Sequence, residues 1–454
     1  MPFLSRNPAT DRVIGTFGSW DEPRLSEVLD RAQHAQQQWA KAAFLHRAEI
    51  LRDVAKTLRA KPRHFATLIT LEMGKPLKES LAEIEKCANV CDYYAQHGES
   101  YMQSEPVESD AARSYVAYRP LGVILAIMPW NFPFWQVFRA AVPGLMAGNA
   151  LLLKHAPNVP QCALAIEAIF KGSGLPDGLF STLMIEVDMV DKVISNPNVH
   201  GVTLTGSEAA GRKVAACAGR HLKKCVLELG GSDPFVVLQD ADLELTVNMA
   251  VASRFMNCGQ SCIAAKRFVL VPQIADEFLA RLRTKVDALR IGDPMDEATQ
   301  IGPMARRDLR DSLHRQVSDS IAQGAYVVTG CHPVEDDGYY YQPSILDQVS
   351  AATRACQEEL FGPVAIIIRA LDEADALRIA NETRYGLGSS IWSKDVTRAE
   401  SLARQIGAGC TFINGMVKSD PRLPFGGTRA SGYGRELSRY GMHEFLNVQT
   451  VWIA

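Results

Sequence analysis

From residue 122 to residue 229 short apolar, β-rich runs alternate with helical ones, and few architectures accommodate that rhythm. Strands are expected at 122–128, 150–154, 181–185, 201–205 and 226–229, with helices at 159–171, 189–195 and 207–218. Strand, crossover helix and strand repeated along the chain build a parallel, doubly wound α/β sheet. The alternation resumes with helices at 243–256, 274–289, 309–323, 374–381 and 397–406, and with strands at 267–271, 326–328, 364–369, 389–392 and 411–413. At 454 residues the chain exceeds what one hydrophobic core usually serves, so a second α/β domain is expected.

The chain opens helical. Leu25, Leu29, Ala32, Ala35 and Trp39, then Leu45, Ala48, Leu51, Val54 and Leu58, recur at helical spacing and predict two amphipathic helices between 21 and 59. A third is expected at 76–94. Cys87 and Cys91 lie four apart on it, half of a metal site, but no second Cys or His pair lies nearby; core packing is expected, and no metal. Residues 114–118 alternate like a strand, and the strand-like end, 448–453, needs an edge to pair with, such as one in another subunit.

A net charge of -3, with Lys and Arg scattered, offers no footprint for nucleic acid or an anionic membrane, so a small-molecule partner is expected. Ten irregularly spaced cysteines, and a start with neither an export nor an organelle address, fit a reduced cytoplasmic protein. Apolar runs such as 122–128 are too short to span a bilayer.

Chemistry enters with Asn257-Cys258-Gly259-Gln260-Ser261-Cys262, where small and polar residues surround a cysteine. Cys262 is either a small buried hydrophobe or a nucleophile, and a nucleophile needs a site that lowers its pKa. Glu228 ends an apolar strand and precedes Gly230 and Gly231, which admit close backbone approach; it is either a strand-end cap or a general base with a pKa raised by burial. Asn131, in the turn Pro129-Trp130-Asn131-Phe132-Pro133, is either a turn residue or an oxyanion donor. Residues 202–207 with Gly211 form a strand, turn and helix start whose free N–H groups suit a phosphate. They match neither G-x-G-x-x-G nor a P-loop.

Together, 129–133, Lys154, Thr205-Gly206-Ser207, 227–231, 259–262, 359–363 and 424–427 resemble the aldehyde dehydrogenase superfamily in sequence, order and spacing. The resemblance covers essentially the whole chain and is most like the short bacterial succinate-semialdehyde dehydrogenases. It implies a Rossmann-like cofactor domain (1–106 and 121–232), a catalytic domain (233–430) and a small β oligomerisation flap (107–120 and 440–454), in a homodimer or homotetramer. It further implies that Cys262 attacks an aldehyde, that Asn131 and the Cys262 N–H hold the oxyanion, and that Glu228 activates water to release a free acid. For the cofactor, NADP or NAD, it implies Lys154 at the adenine ribose, Ser207 at a phosphate, Glu359 at the nicotinamide ribose and Phe361 against it. Trp130, Pro157, Thr205, Gly206 and Gly230 complete that set. Many NAD-preferring relatives carry a Glu where Pro157 stands, so both the ribose-hydroxyl acceptor and the repulsion against a 2′-phosphate are missing here, and NADP should be tolerated.

For the substrate, Trp135 and Arg139 follow Asn131 by four and eight residues, about 40° and 80° round a helix from it. Arg139 matches a substrate-binding arginine of succinate-semialdehyde dehydrogenases, whereas a second such arginine is replaced by Met256. With Ser419 as a hydroxyl contact, a short ω-carboxylate aldehyde such as succinic semialdehyde is implied. The other readings are an internal salt bridge for Arg139, a broad aliphatic or aromatic specificity, and a non-catalytic structural protein of the same fold. A cysteine hydrolase lacks a clear histidine partner motif. Cys258 is either a bystander or a regulatory disulfide partner of Cys262.

Overall fold

A computed structural model describes residues 2–454. Residue 1 of the expected cofactor segment lies outside them. The chain forms two α/β units built on mainly parallel sheets, each with its own apolar core, together with a three-stranded antiparallel sheet and an N-terminal hairpin, Phe3–Asn7 with Arg12–Phe17.

The first sheet runs in the spatial order Gly432–Tyr433, Lys224–Glu228, Val199–Thr205, Val123–Met128, Ala150–His155, Phe180–Thr182. All neighbours are parallel except Gly432–Tyr433. From Val123–Met128 the chain winds first to Ala150–His155 and later back to Val199–Thr205 on the other side. Such a reversal opens a crevice beyond the carboxyl ends of the strands. Pro129–Pro133 and Gly206-Ser207 leave the sheet at that place.

The second sheet runs Tyr326–Thr329, Ser344–Asp347, Val364–Arg369, Ala265–Leu270, Asp233–Val237, Gly388–Trp392, Cys410–Ile413, and Tyr326–Thr329 alone is antiparallel. Cys262 and 359–361 directly precede two of its strands, and Gly230-Gly231 connects Glu228, the last residue of a first-sheet strand, to Asp233. The carboxyl ends of one sheet therefore face the amino ends of the other, and the residues singled out above converge on that seam.

The expected strands and helices are present with shifted ends, apart from 181–185, whose strand is Phe180–Thr182, and 189–195, whose helix proper is Val190–Ser195. The helix Leu77–Tyr101 extends a full seven residues past the expected end. Leu45 is 65% exposed, so the second helix, Phe44–Ala60, buries Ile50 instead as part of its apolar face. The terminal strand needs no second subunit to pair: Leu446–Ile453 is antiparallel to Arg113–Pro120 of the same chain along its whole length. Among the described residues no helix is long and apolar enough to cross a membrane.

Candidate active site

The helix Leu243–Phe255 ends in a turn where Asn257, Cys258 and Gly259 adopt φ of 54°, 53° and 69°. Non-glycine residues there cost about 1 kcal/mol each, so the surroundings must hold the turn. Glu79 accepts the Asn257 N–H at 2.7 Å, and the Asn257 amide donates to the carbonyls of Asn131 at 2.8 Å and Gln260 at 3.2 Å. The buried Arg254 guanidinium donates to the carbonyls of Gly259 and Leu360, each at 3.2 Å, and to Gly362. Beyond the turn, Lys266 Nζ donates to the carbonyls of Ser261 at 3.0 Å and Cys262 at 2.8 Å and reaches Glu359 at 3.2 Å. A Cβ on Gly259 would run into the Gly362 carbonyl, which explains glycine at that place.

Cys262 sits between two cavities and lines both, as does Gln136. The first, about 250 Å³, is lined by Trp130, Asn131, Thr205, Gly206, Ser207, Glu228, Gly230, Glu359 and Phe361, gathering nine of the expected site residues with Cys262. The second, about 300 Å³, is lined by Trp135, Arg139 and Ser419, with Lys86, Met256 and Phe425. Lys154 and Pro157 line neither: Lys154 Nζ donates to the His155 carbonyl at 2.9 Å, and Pro157 is exposed on the turn after that strand.

One proton of the Asn131 amide is donated to the Gln260 carbonyl at 3.0 Å, and an amide nitrogen carries two. The second is available toward the cavity. Both Glu228 carboxylate oxygens are buried without a hydrogen-bond partner, and burial, then Glu436, raises its pKa well above the ordinary carboxylate value. The expected lowering at Cys262 is not what the protein alone supplies. Burial pushes that thiol up to about 12, against the opposing pull of Arg139 and Lys266, because the loop that fixes the sulfur also removes it from water. Cys258 is buried in the second core, and burial raises its thiol too.

Asn131 precedes the helix Trp135–Ala147 rather than lying on it, so the angular argument for a shared helix face fails. What joins these residues is the seam: Asn131 faces the first cavity, while Trp135 and Arg139 face the second. Arg139 does form an internal ion pair, through Nε with Glu436, while its Nη2 donates to Thr205 Oγ1 at 3.3 Å and its Cζ lies 4.7 Å from the Phe425 ring centre. Glu83 accepts the N–H groups of Phe134 and Trp135, both at 2.9 Å, and thereby holds the start of this helix.

The model of a family described as the aldehyde dehydrogenase family matches residues 2–451. The chain belongs to the aldehyde dehydrogenase family. It is 48% identical over 449 residues to the Escherichia coli K12 protein named succinate semialdehyde dehydrogenase [NAD(P)+] Sad, covering 99% of this chain and 97% of that one. It is 47% identical to a Synechocystis protein named probable succinate-semialdehyde dehydrogenase [NADP(+)], each covered completely. Among solved structures, succinic semialdehyde dehydrogenase from Streptococcus pyogenes in complex with NADP+ superposes with a TM-score of 0.98 at 36% identity, covering 99% of both chains.

The first cavity of this aldehyde dehydrogenase suits the phosphate and nicotinamide end of a dinucleotide, with Lys154 and Pro157 outside it. The helix Glu208–Arg220 opens beside it with Ser207 as its cap, and Trp130 meets Phe361 edge-on at 5.7 Å to form an aromatic wall. A Cβ on Gly230 would run into the Glu359 carboxylate, which accepts the Gly231 N–H at 3.2 Å. Sequence reasoning passed over Gln136, Glu79, Lys86, Lys266 and Glu436. For Glu79 and Lys86 a signal existed: with Glu83 they fall at i, i+4 and i+7 on one helix, a charged stripe on a largely buried element.

Proposed function

We propose that the protein oxidises succinic semialdehyde to succinate with NADP or NAD. The observation that carries this reading is the position of Cys262 at the junction of a cavity that suits the nicotinamide end of a dinucleotide and a cavity lined by Lys86 and Arg139. Cys262 gives up its thiol proton to solvent and attacks the aldehyde carbon as the thiolate, and the resulting oxyanion takes hydrogen bonds from the free proton of the Asn131 amide and from the Cys262 N–H. When bound, the nicotinamide cofactor supplies the hydride acceptor. Glu228 accepts a proton from the water that hydrolyses the thioester; burial has raised its affinity for that proton.

On this reading Trp130, Thr205, Gly206, Ser207, Gly230, Glu359 and Phe361 hold the cofactor, and Lys154 with Pro157 lies at its adenine end. Residues 1–106 and 121–232 form the cofactor domain and 233–430 the catalytic domain. Trp135, Arg139 and Ser419 shape the aldehyde side. The edge strand Leu446–Ile453, which exposes Val448, Trp452 and Ile453, supports its assignment with 107–120 to the surface that joins subunits into a homodimer or homotetramer. The test is product analysis. Succinic semialdehyde with NADP or NAD should give succinate and reduced cofactor in equal amounts, and absence of succinate would contradict the reading.

A further inference from the structure

Lys86 presents a half-buried cation without an ion-pair partner to the cavity that Cys262 lines. Its neighbours cancel in pairs, Lys75 with Glu83 and Arg139 with Glu436, whereas no carboxylate among the described residues lies within ion-pair distance of Lys86 Nζ. The ammonium instead lies 4.1 Å from the centre of the Trp135 ring and donates to Ser419 Oγ at 2.7 Å. Burial, then the nearby charge of Arg139, lowers its pKa to about 8, which leaves it protonated at neutral pH.

Ser419 Oγ also accepts the Trp135 Nε1–H at 3.0 Å, so both of its lone pairs are engaged. Its own proton remains to be donated, and no acceptor for it is present among the described residues. Two donors, an ammonium and a hydroxyl, thus lie side by side with no carboxylate in contact with either, although Glu79 lines the same cavity. A carboxylate satisfies both at once and supplies the charged partner that this half-buried cation lacks. Arg139 is less free, with Glu436 on Nε and Thr205 on Nη2.

We infer that Lys86, steadied by Trp135 and Ser419, is a further cation that binds the carboxylate of the aldehyde substrate. This rests on the proposed ω-carboxylate substrate. Arg139, paired with Glu436, adds its charge to the same cavity, and the sulfur of Cys262 meets the far end of the substrate.

The test compares KM for succinic semialdehyde with KM for butanal, which has the same chain length and no carboxylate, in the full-length enzyme with its cofactor saturating. Loss of a charge-assisted contact in Lys86→Met should raise the ratio of the two KM values about thirtyfold, with a smaller change in kcat. Lys86→Gln, which keeps a hydrogen bond to Ser419 and drops the charge, should raise the ratio similarly, and Lys86→Arg should restore much of it. If the wild type prefers succinic semialdehyde and neither neutral variant moves the ratio, the inference is overturned while the substrate assignment stands. If the wild type shows no preference, the substrate assignment fails and the inference with it.

Discussion

The Asn257 side-chain amide donates to the Asn131 backbone carbonyl at 2.8 Å, and so joins the loop that carries Cys262 to the turn that carries the proposed oxyanion donor. The Asn131 amide returns the contact at Gln260, two residues before Cys262. Nucleophile and donor are thereby fixed relative to each other by protein groups alone.

Asn257→Gly separates that latch from backbone strain, because glycine accepts the φ of 54° at no steric cost. A merely structural role for the turn predicts near-normal turnover in Asn257→Gly. The latch predicts a fall in kcat of about tenfold or more with little change in KM, since a small misplacement of reacting groups is costly. Steady-state kinetics with a thermal melt separates the two outcomes.

Glu228→Gln removes the proposed base while keeping its volume. Acylation should still release one equivalent of reduced cofactor per active site, and turnover should then fall by about a hundredfold or more. Rapid-mixing absorbance at 340 nm reads both phases; a normal steady state would remove Glu228 from the hydrolytic step.

Burial first and then Arg139 lower the pKa of the Lys86 ammonium to about 8, with Cys87 and Glu83 acting in the opposite sense and Lys75 in the same one. Its charge is present below that pH and lost above it. The kcat/KM for succinic semialdehyde relative to butanal should therefore fall as pH rises through that value. The fall should begin lower, because Glu79 lines the same cavity, has its pKa raised to about 7 by burial, and gains a charge that repels the substrate carboxylate. A ratio constant through pH 9 would remove Lys86 from recognition of the free enzyme's substrate.

Pro157 offers an adenine ribose neither an acceptor nor a repelling charge. NADP should therefore support a catalytic efficiency within about a thousandfold of that with NAD, and Pro157→Glu should lower the NADP value selectively, by about tenfold, through like-charge repulsion with the 2′-phosphate. Cofactor titrations of both proteins check this. Equal losses with the two cofactors would place Pro157 away from the ribose.

Strands buried on both faces were legible because they read as uninterrupted apolar runs, and 364–369 matches its strand end to end. Asp233–Val237 was not legible, although it is central in the second sheet. Gly230, Gly231, Asp233 and Pro234 read as turn punctuation, and the pairing with Ala265–Leu270 shifts register between Asp233 and Pro234 to admit them. The helix Pro62–Met73, which begins on a proline and closes on left-handed Gly74, was also passed over. In the site, Cys262, Glu228 and Asn131 were visible through their blocks. Lys86 beside Ser419, and Arg139 beside Glu436, meet only through the fold, and nothing local marks which cation keeps an unmatched charge. The same limit applies to the Cys262 thiol, whose environment is set by how far the seam excludes water.

The most direct measurement of the central claim is kcat/KM for succinic semialdehyde and for butanal with each of NADP and NAD. Cys262-dependent turnover is expected in which the carboxylated aldehyde is preferred by at least about tenfold, the smallest effect expected of one charge-assisted contact. Equal efficiency for the two aldehydes, or turnover that survives in Cys262→Ala, would contradict it.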